Sequence, residues 1–147
     1  GDAAASNDGL LVADGVYNEG VLGGGVYSVG GLMINKKLTI RGGWDTNFIR
    51  QSGESIVKNT YSSPSTAGRC MTIGHFGNNS VIENMTFANA PGYGVLALRF
   101  PWDSDSCLDA YGRTSNELVG VWFAMSNCIV RNCGSDGVYV GYHHHDG

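Results

Sequence analysis

The stretch "RFPWDSDSCLDAYGRTSNE", residues 99–117, concentrates side chains that could do chemistry. It holds Trp102 and Tyr111, carboxylates at Asp103, Asp105, Asp109 and Glu117, and the cations Arg99 and Arg113. Sugar rings present apolar C–H faces that stack on aromatic rings, while carboxylates and guanidinium groups hydrogen-bond hydroxyls and uronic carboxylates. Trp102, Asp103, Asp105, Asp109, Tyr111 and Arg113 are therefore candidate ligand-binding residues. Asp103, Asp105 and Asp109 also offer the hard oxygens that Ca²⁺ requires. The opening "DSD" does not extend into an EF-hand loop, which needs an acidic or amide residue at the fifth position and glycine at the sixth. The plainer alternative is a solvated polar loop with Trp102 laid on the wall of the fold.

A pair of carboxylates could instead hydrolyse a glycosidic bond, one as acid and one as nucleophile or base, at separations of roughly 5–9.5 Å. Sequence fixes no such distance. In "YHHHD", residues 142–146, His143, His145 and Asp146 could ligate a zinc-like ion. Adjacent strand residues point to opposite faces, so only His143 and His145 would share one. A polar turn after the last strand explains the same letters.

The composition narrows the possibilities. The chain has 147 residues, enough for one domain with a real core. Its net charge of −4 lacks the basic footprint of a nucleic-acid binder. No run of eighteen apolar residues suits a membrane span. Glycine is abundant, at 23 residues, without the three-residue period of collagen. Dispersed among short Val/Ile/Thr/Tyr runs, it indicates many corners joining short strands. Cys70, Cys107, Cys128 and Cys133 include no Cys-x-x-Cys pair, which argues against a zinc site. Four cysteines allow three disulfide pairings, and most are expected to be buried thiols that pack as small hydrophobes.

The chain repeats itself. "NMTFANAPGYGVLA" from Asn84 and "NCIVRNCGSDGVYV" from Asn127 align without a gap, with identities at Asn84/Asn127, Asn89/Asn132, Gly94/Gly137 and Val95/Val138. Ile82, Met85 and Phe87 fall opposite Met125, Cys128 and Val130, so the apolar positions correspond. Neither copy has helical periodicity, and neither ends in a two-residue hairpin turn. A strand that turns a corner and continues in one rotational sense is a coil of a solenoid, and stacked coils form parallel sheets spaced by roughly 4.8 Å. The corner asparagines are expected to point inward and form a hydrogen-bonded ladder between coils, although Asn is also simply a good turn residue.

With these motifs in view, "GLLVADGVYNEG", "INKKLTIRGGWDTNF" and "NSVIENMTFANA" resemble the opening of secreted bacterial right-handed parallel β-helix proteins. These belong to the broad pectate-lyase-like superfamily, including its adhesin-like surface members. The resemblance covers nearly the whole chain, most closely residues 9–50 and 70–98. It implies an all-β, right-handed parallel β-helix that is secreted or exposed on a bacterial cell surface. It says less about activity, because the superfamily includes lyases, hydrolases, epimerases and adhesins. A lyase of this kind would need a base, often Arg, beside Ca²⁺; only Arg99 or Arg113 is placed for that. The Gly-His-Gly of polygalacturonase-like enzymes is missing, and "GHFG" at residues 74–77 reads as a turn. No catalytic residue is carried over.

On this basis strands are expected over residues 10–17, 33–41, 55–58, 70–73, 82–87, 94–98, 125–130 and 137–140. Gly42 and Gly43 would make a corner, with Trp44 and Asp45 structural and Trp44 covering the end of the core. Coils of roughly 20–25 residues are expected, so the repeat offset is either two coils or one coil carrying an insertion of about 20 residues, the second favoured because residues 99–117 read as loop. The whole chain, residues 1–147, reads as one β-helix domain, and its stop directly after a strand suggests the N-terminal portion of a longer protein with further coils. The leading functional expectation is an extracellular glycan-binding or adhesin-like scaffold without its own catalytic site. The alternative is a lyase or glycoside hydrolase acting on acidic polysaccharide, with its site along the 99–117 face and Ca²⁺ as a candidate ion.

Overall fold

A computed structural model describes residues 7–18, 31–34, 36–60, 68–74, 79–99 and 122–142. Twelve short strands lie among the described residues. They are β1 (Gly9–Ala13), β2 (Gly15–Asn18), β3 (Leu32–Ile34), β4 (Thr39–Trp44), β5 (Ser55–Lys58) and β6 (Met71–Ile73). Next come β7 (Ser80–Glu83), β8 (Met85–Ala88), β9 (Val95–Arg99), β10 (Phe123–Ser126), β11 (Ile129–Arg131) and β12 (Val138–Tyr142). Each strand pairs in parallel with the strand three further along. This gives three four-stranded sheets: β1-β4-β7-β10 (sheet A), β2-β5-β8-β11 (sheet B) and β3-β6-β9-β12 (sheet C). The described residues thus form a parallel β-helix of four three-sided coils.

Alternation along each short strand sends one residue set inward, and the parallel register stacks these sets into columns. Leu10, Ile40, Ile82 and Met125 line up in sheet A. Tyr17, Val57, Phe87 and Val130 do so in sheet B, and Ile34, Ile73, Ala97 and Val140 in sheet C. The central members Ile40, Ile82, Val57, Phe87, Ile73 and Ala97 are buried. The last coil is less covered: Val95 and Ala97 are fully buried, whereas their register partners Val138 and Val140 are 43% and 57% exposed.

The repeat offset read from sequence is one coil, since Ser80 pairs with Phe123, Phe87 with Val130 and Val95 with Val138. Coils are not of uniform length, however. Met71 pairs with Val95, a step of 24 residues, but Gly15 pairs with Ser55, a step of 40. Connections between strands absorb the difference, as tolerated surface insertions do.

Strand boundaries differ from expectation in four places. Residues 33–41 are not one strand, because β3 and β4 lie in different sheets and consecutive coils, with Lys36 and Lys37 at the corner between them. Residues 10–17 are likewise divided, into β1 and β2. The continuous-looking runs 82–87 and 125–130 are each split by asparagine. Asn84 and Asn127 take left-handed φ of 54° and 49°, which turn the chain without interrupting the inward sequence of apolar residues. Gly42 and Gly43 lie inside β4 rather than at a corner. A Cβ on Gly42 would collide with the Asn84 carbonyl oxygen and the Met85 sulfur, while Gly43 has a left-handed φ of 78°.

The expected inward asparagine ladder does not form at these corners. Asn89, Asn127 and Asn132 are exposed and Asn84 is half-buried. Their value is conformational, because Asn tolerates the left-handed region better than other non-glycine residues. Across each rung the hydrogen bond is a backbone one: Asn84 N–H donates to Ser126 C=O at 3.1 Å, and Asn89 N–H to Arg131 C=O at 3.2 Å. Asn59 is the buried exception, its Nδ2 donating to the Arg69 carbonyl at 2.7 Å.

Two buried serines satisfy backbone groups at corners. Ser55 Oγ accepts the Gly43 N–H at 2.8 Å and donates to the Ala13 carbonyl at 2.6 Å, linking the first two coils. Ser80 Oγ accepts the Leu38 N–H at 3.0 Å. Asp45 caps a tight loop, its Oδ1 accepting the N–H groups of Asn47 and Ile49. Its structural role is as expected from sequence. Trp44 does not close the end of the core; it is half-buried in the second coil, opposite Ala13 and bridged to Gln51.

Candidate functional site

The binding and metal candidates Trp102, Asp103, Asp105, Asp109, Tyr111 and Arg113 lie outside the described residues, as do His143, His145, Asp146 and Cys107. The strands frame their segment: β9 ends at Arg99 and β10 begins at Phe123. Among the described residues, no group of three or more His, Cys, Asp and Glu is placed to hold a metal ion.

The described surface brings together a different set, on the outward side of sheet C. Tyr139, on β12, faces outward at 39% exposure. Its ring lies across Gly141, where an added Cβ would meet ring atoms Cζ and Oη at 2.9 Å. Glycine at 141 therefore lets the aromatic ring lie against the backbone. Tyr93, just before β9, sits beside it with ring centroids 5.3 Å apart and planes tilted by 42°, within the favoured range for aromatic pairs. Leu96, the outward register partner of Tyr139, is buried.

Arg69 completes the cluster. It precedes β6 at the position next to Tyr93 in the adjacent coil, where the Cys70 N–H donates to the Tyr93 carbonyl. Burial pushes the Arg69 pKa down, and the neighbouring Tyr93 partly opposes that shift. Its Nε is buried and has no hydrogen-bond partner among the described residues. Desolvating a cation without pairing it is costly, so Arg69 is the least satisfied charge among the described residues of this face.

The other charged pairs behave as solvated surface. Arg41 Nε donates to Glu83 Oε2 at 2.7 Å across neighbouring strands of sheet A, with about half the Arg41 side chain exposed. Such pairs contribute about 0–1 kcal/mol. Glu54 accepts from Thr86 Oγ1 at 2.8 Å and lies 3.8 Å from Arg131.

Cys70, Cys128 and Cys133 are free thiols, the first buried and the others half-buried, as expected for packing cysteines. Burial pushes the Cys70 thiol up to about 11, reinforced by the nearby Cys133. Burial also raises Cys128, whose thiol donates to the Ser126 carbonyl at 3.3 Å. Cys70 and Cys128 are thus held protonated and are poor nucleophiles.

Sequence reading missed Arg69, Tyr93 and Tyr139 because they are far apart in the chain and only coil stacking unites them. The repeat did carry one signal: Gly94/Gly137 fixes the register that sets Tyr93 and Tyr139 on adjacent coils. By architecture the protein belongs to the all-parallel β-helix solenoids. No family model matches the chain, and no curated protein or solved structure is significantly similar to it. No helix is long and apolar enough to cross a membrane among the described residues.

Proposed function

We propose that this chain is a secreted or cell-surface β-helix, akin to the pectate-lyase-like superfamily, that binds glycan without a catalytic site of its own. The observation that carries the reading is the aromatic pair on the outward side of sheet C. Tyr139 is laid against the backbone at Gly141 and Tyr93 is packed beside it. An exposed aromatic ring held in one orientation suits the apolar face of a pyranose, and its fixed geometry lowers the ordering cost of binding. The parallel sheets beneath it form a rigid scaffold, and the neighbouring guanidinium supplies hydrogen-bond donors. The sequence-derived loop of residues 99–117 would add Trp102, Tyr111 and Arg113 to the recognition surface, and Asp103, Asp105 and Asp109 as calcium ligands.

Retention of the purified chain on immobilised neutral and acidic polysaccharides, with calcium or with chelator, tests the reading. Wild-type protein is expected to be retained and a Tyr93→Ala/Tyr139→Ala variant to elute with the unbound fraction. Absence of retention on every polymer would sink the glycan-binding role. Cleavage of a uronate polymer in calcium would favour the enzymatic alternative.

A further inference from the structure

We propose that Arg69, Tyr93 and Tyr139 form a calcium-independent subsite for an anionic sugar. The sugar ring lies on Tyr139 and its carboxylate or sulfate group pairs with the Arg69 guanidinium. This rests on the glycan-binding reading and adds the charge of the ligand and the side chains that read it.

Three observations lead there. First, Arg41 and Arg131 each have a carboxylate nearby, whereas Arg69 has none among the described residues and its Nε is sealed without an acceptor. A half-buried guanidinium with no carboxylate partner among the described residues gains most from a planar anion, which it can engage through two parallel N–H groups. Second, the described groups adjoining it are aromatic rings rather than acids. The nearest carboxylate by register is Asp136, one residue before Gly137; its carbonyl accepts the Gly94 N–H and its side chain is in no ion pair with Arg69. Third, the three residues occupy successive coils: Arg69 before β6, Tyr93 before β9 and Tyr139 on β12. Two coil steps of about 4.8 Å span about 10 Å, a length suited to two linked sugar rings rather than a small free anion.

The guanidinium supplies the charge on this site, so calcium need not bridge protein and ligand. Carboxylate and sulfate share the required chemistry, and the experiment separates them. The full 147-residue chain is titrated calorimetrically, in chelator, with a uronate oligosaccharide, its carboxyl-reduced neutral counterpart and a sulfated oligosaccharide. At least one anionic ligand is expected to bind tenfold or more tightly than the neutral one, and whichever does so identifies the anion. Arg69→Met and Tyr139→Ala are each expected to weaken that binding at least tenfold. Arg69→Lys should retain part of it, and Arg41→Met on sheet A should leave it unchanged. Tyr139→Ala removes an exposed side chain and tests the site even if Arg69→Met fails to fold.

Equal affinity for neutral and anionic ligands would overturn the anion assignment while leaving glycan binding intact. Undiminished binding by folded Arg69→Met and Tyr139→Ala would place the ligand elsewhere on the protein. Binding only in calcium would refute the calcium-independent subsite, and absence of all binding would remove the underlying reading as well.

Discussion

Replacing Ser55 by alanine deletes one oxygen atom from the corner that joins the first and second coils. That oxygen accepts the Gly43 N–H at 2.8 Å and donates to the Ala13 carbonyl at 2.6 Å, and Ser55 itself is fully buried. Gly43 is also buried, so water cannot replace the lost acceptor. A buried donor left unsatisfied costs about 1–3 kcal/mol, whereas a carbonyl with a second lone pair tolerates the loss better. The expected destabilisation is therefore about 2–3 kcal/mol. At about 2–4 °C per kcal/mol for a chain near this size, the melting temperature should fall by about 4–12 °C. Thermal and urea unfolding of Ser55→Ala, beside the exposed control Ser126→Ala, measures the effect. The control should stay within about 0.5 kcal/mol of wild type. If Ser55→Ala does too, the hydroxyl is not what satisfies the corner, and the argument from buried polar groups fails there.

Phe87→Ala should cost about 3–5 kcal/mol in the same assay, because Phe87 is fully buried between Val57 and Val130 in its column. Asn84→Gly should be close to neutral and Asn84→Val should lose about 1–2 kcal/mol, since only the second strains the left-handed corner; equal effects would return importance to the amide side chain. Gly94→Ala should cost about 1–3 kcal/mol, because the new methyl would press on Val130 and on the Gly137 carbonyl at 2.7 Å. Cys70 has its thiol raised from 9.0 to about 11 in the folded protein, so its contribution to stability is complete below pH 9 and is lost as pH rises through 11. Wild-type protein should lose more stability than Cys70→Ala over that window in urea unfolding, and a matching slope would discount the thiol.

Much of the architecture was legible because solenoid coils repeat their inward pattern. The match of Ile82, Met85 and Phe87 to Met125, Cys128 and Val130 reflected real stacking, and its gapless offset equalled one coil of the structure. Corners were harder to place. Asn84 and Asn127 turn the chain while apolar residues continue on both sides, so periodicity alone joined two strands into one. Residues 33–41 misled for a similar reason: Leu38 is buried immediately beyond the Lys36–Lys37 corner and prolongs the hydrophobic run. The sheet C cluster was least legible. Arg69, Tyr93 and Tyr139 have no common spacing, because the second-to-third and third-to-fourth coil steps differ in length. A local motif search sees only chain neighbours, and this site is made of neighbours along the stacking axis.

That stacking also makes the less-covered fourth coil a thermodynamic partner of the ligand proposed for sheet C. In a quasi-one-dimensional array each coil is held chiefly by the coils stacked on it, so local opening parts a coil from its neighbour. Tyr139 belongs to that less-covered coil, whereas Arg69 belongs to the second and Tyr93 to the third. A ligand touching all three can bind only while the fourth coil is docked, and by linkage its binding must hold that coil in place. Amides of β10–β12 would then exchange more slowly in the bound state than in the free one. On the proposed reading, occupancy of the site and docking of the fourth coil become two readings of one equilibrium.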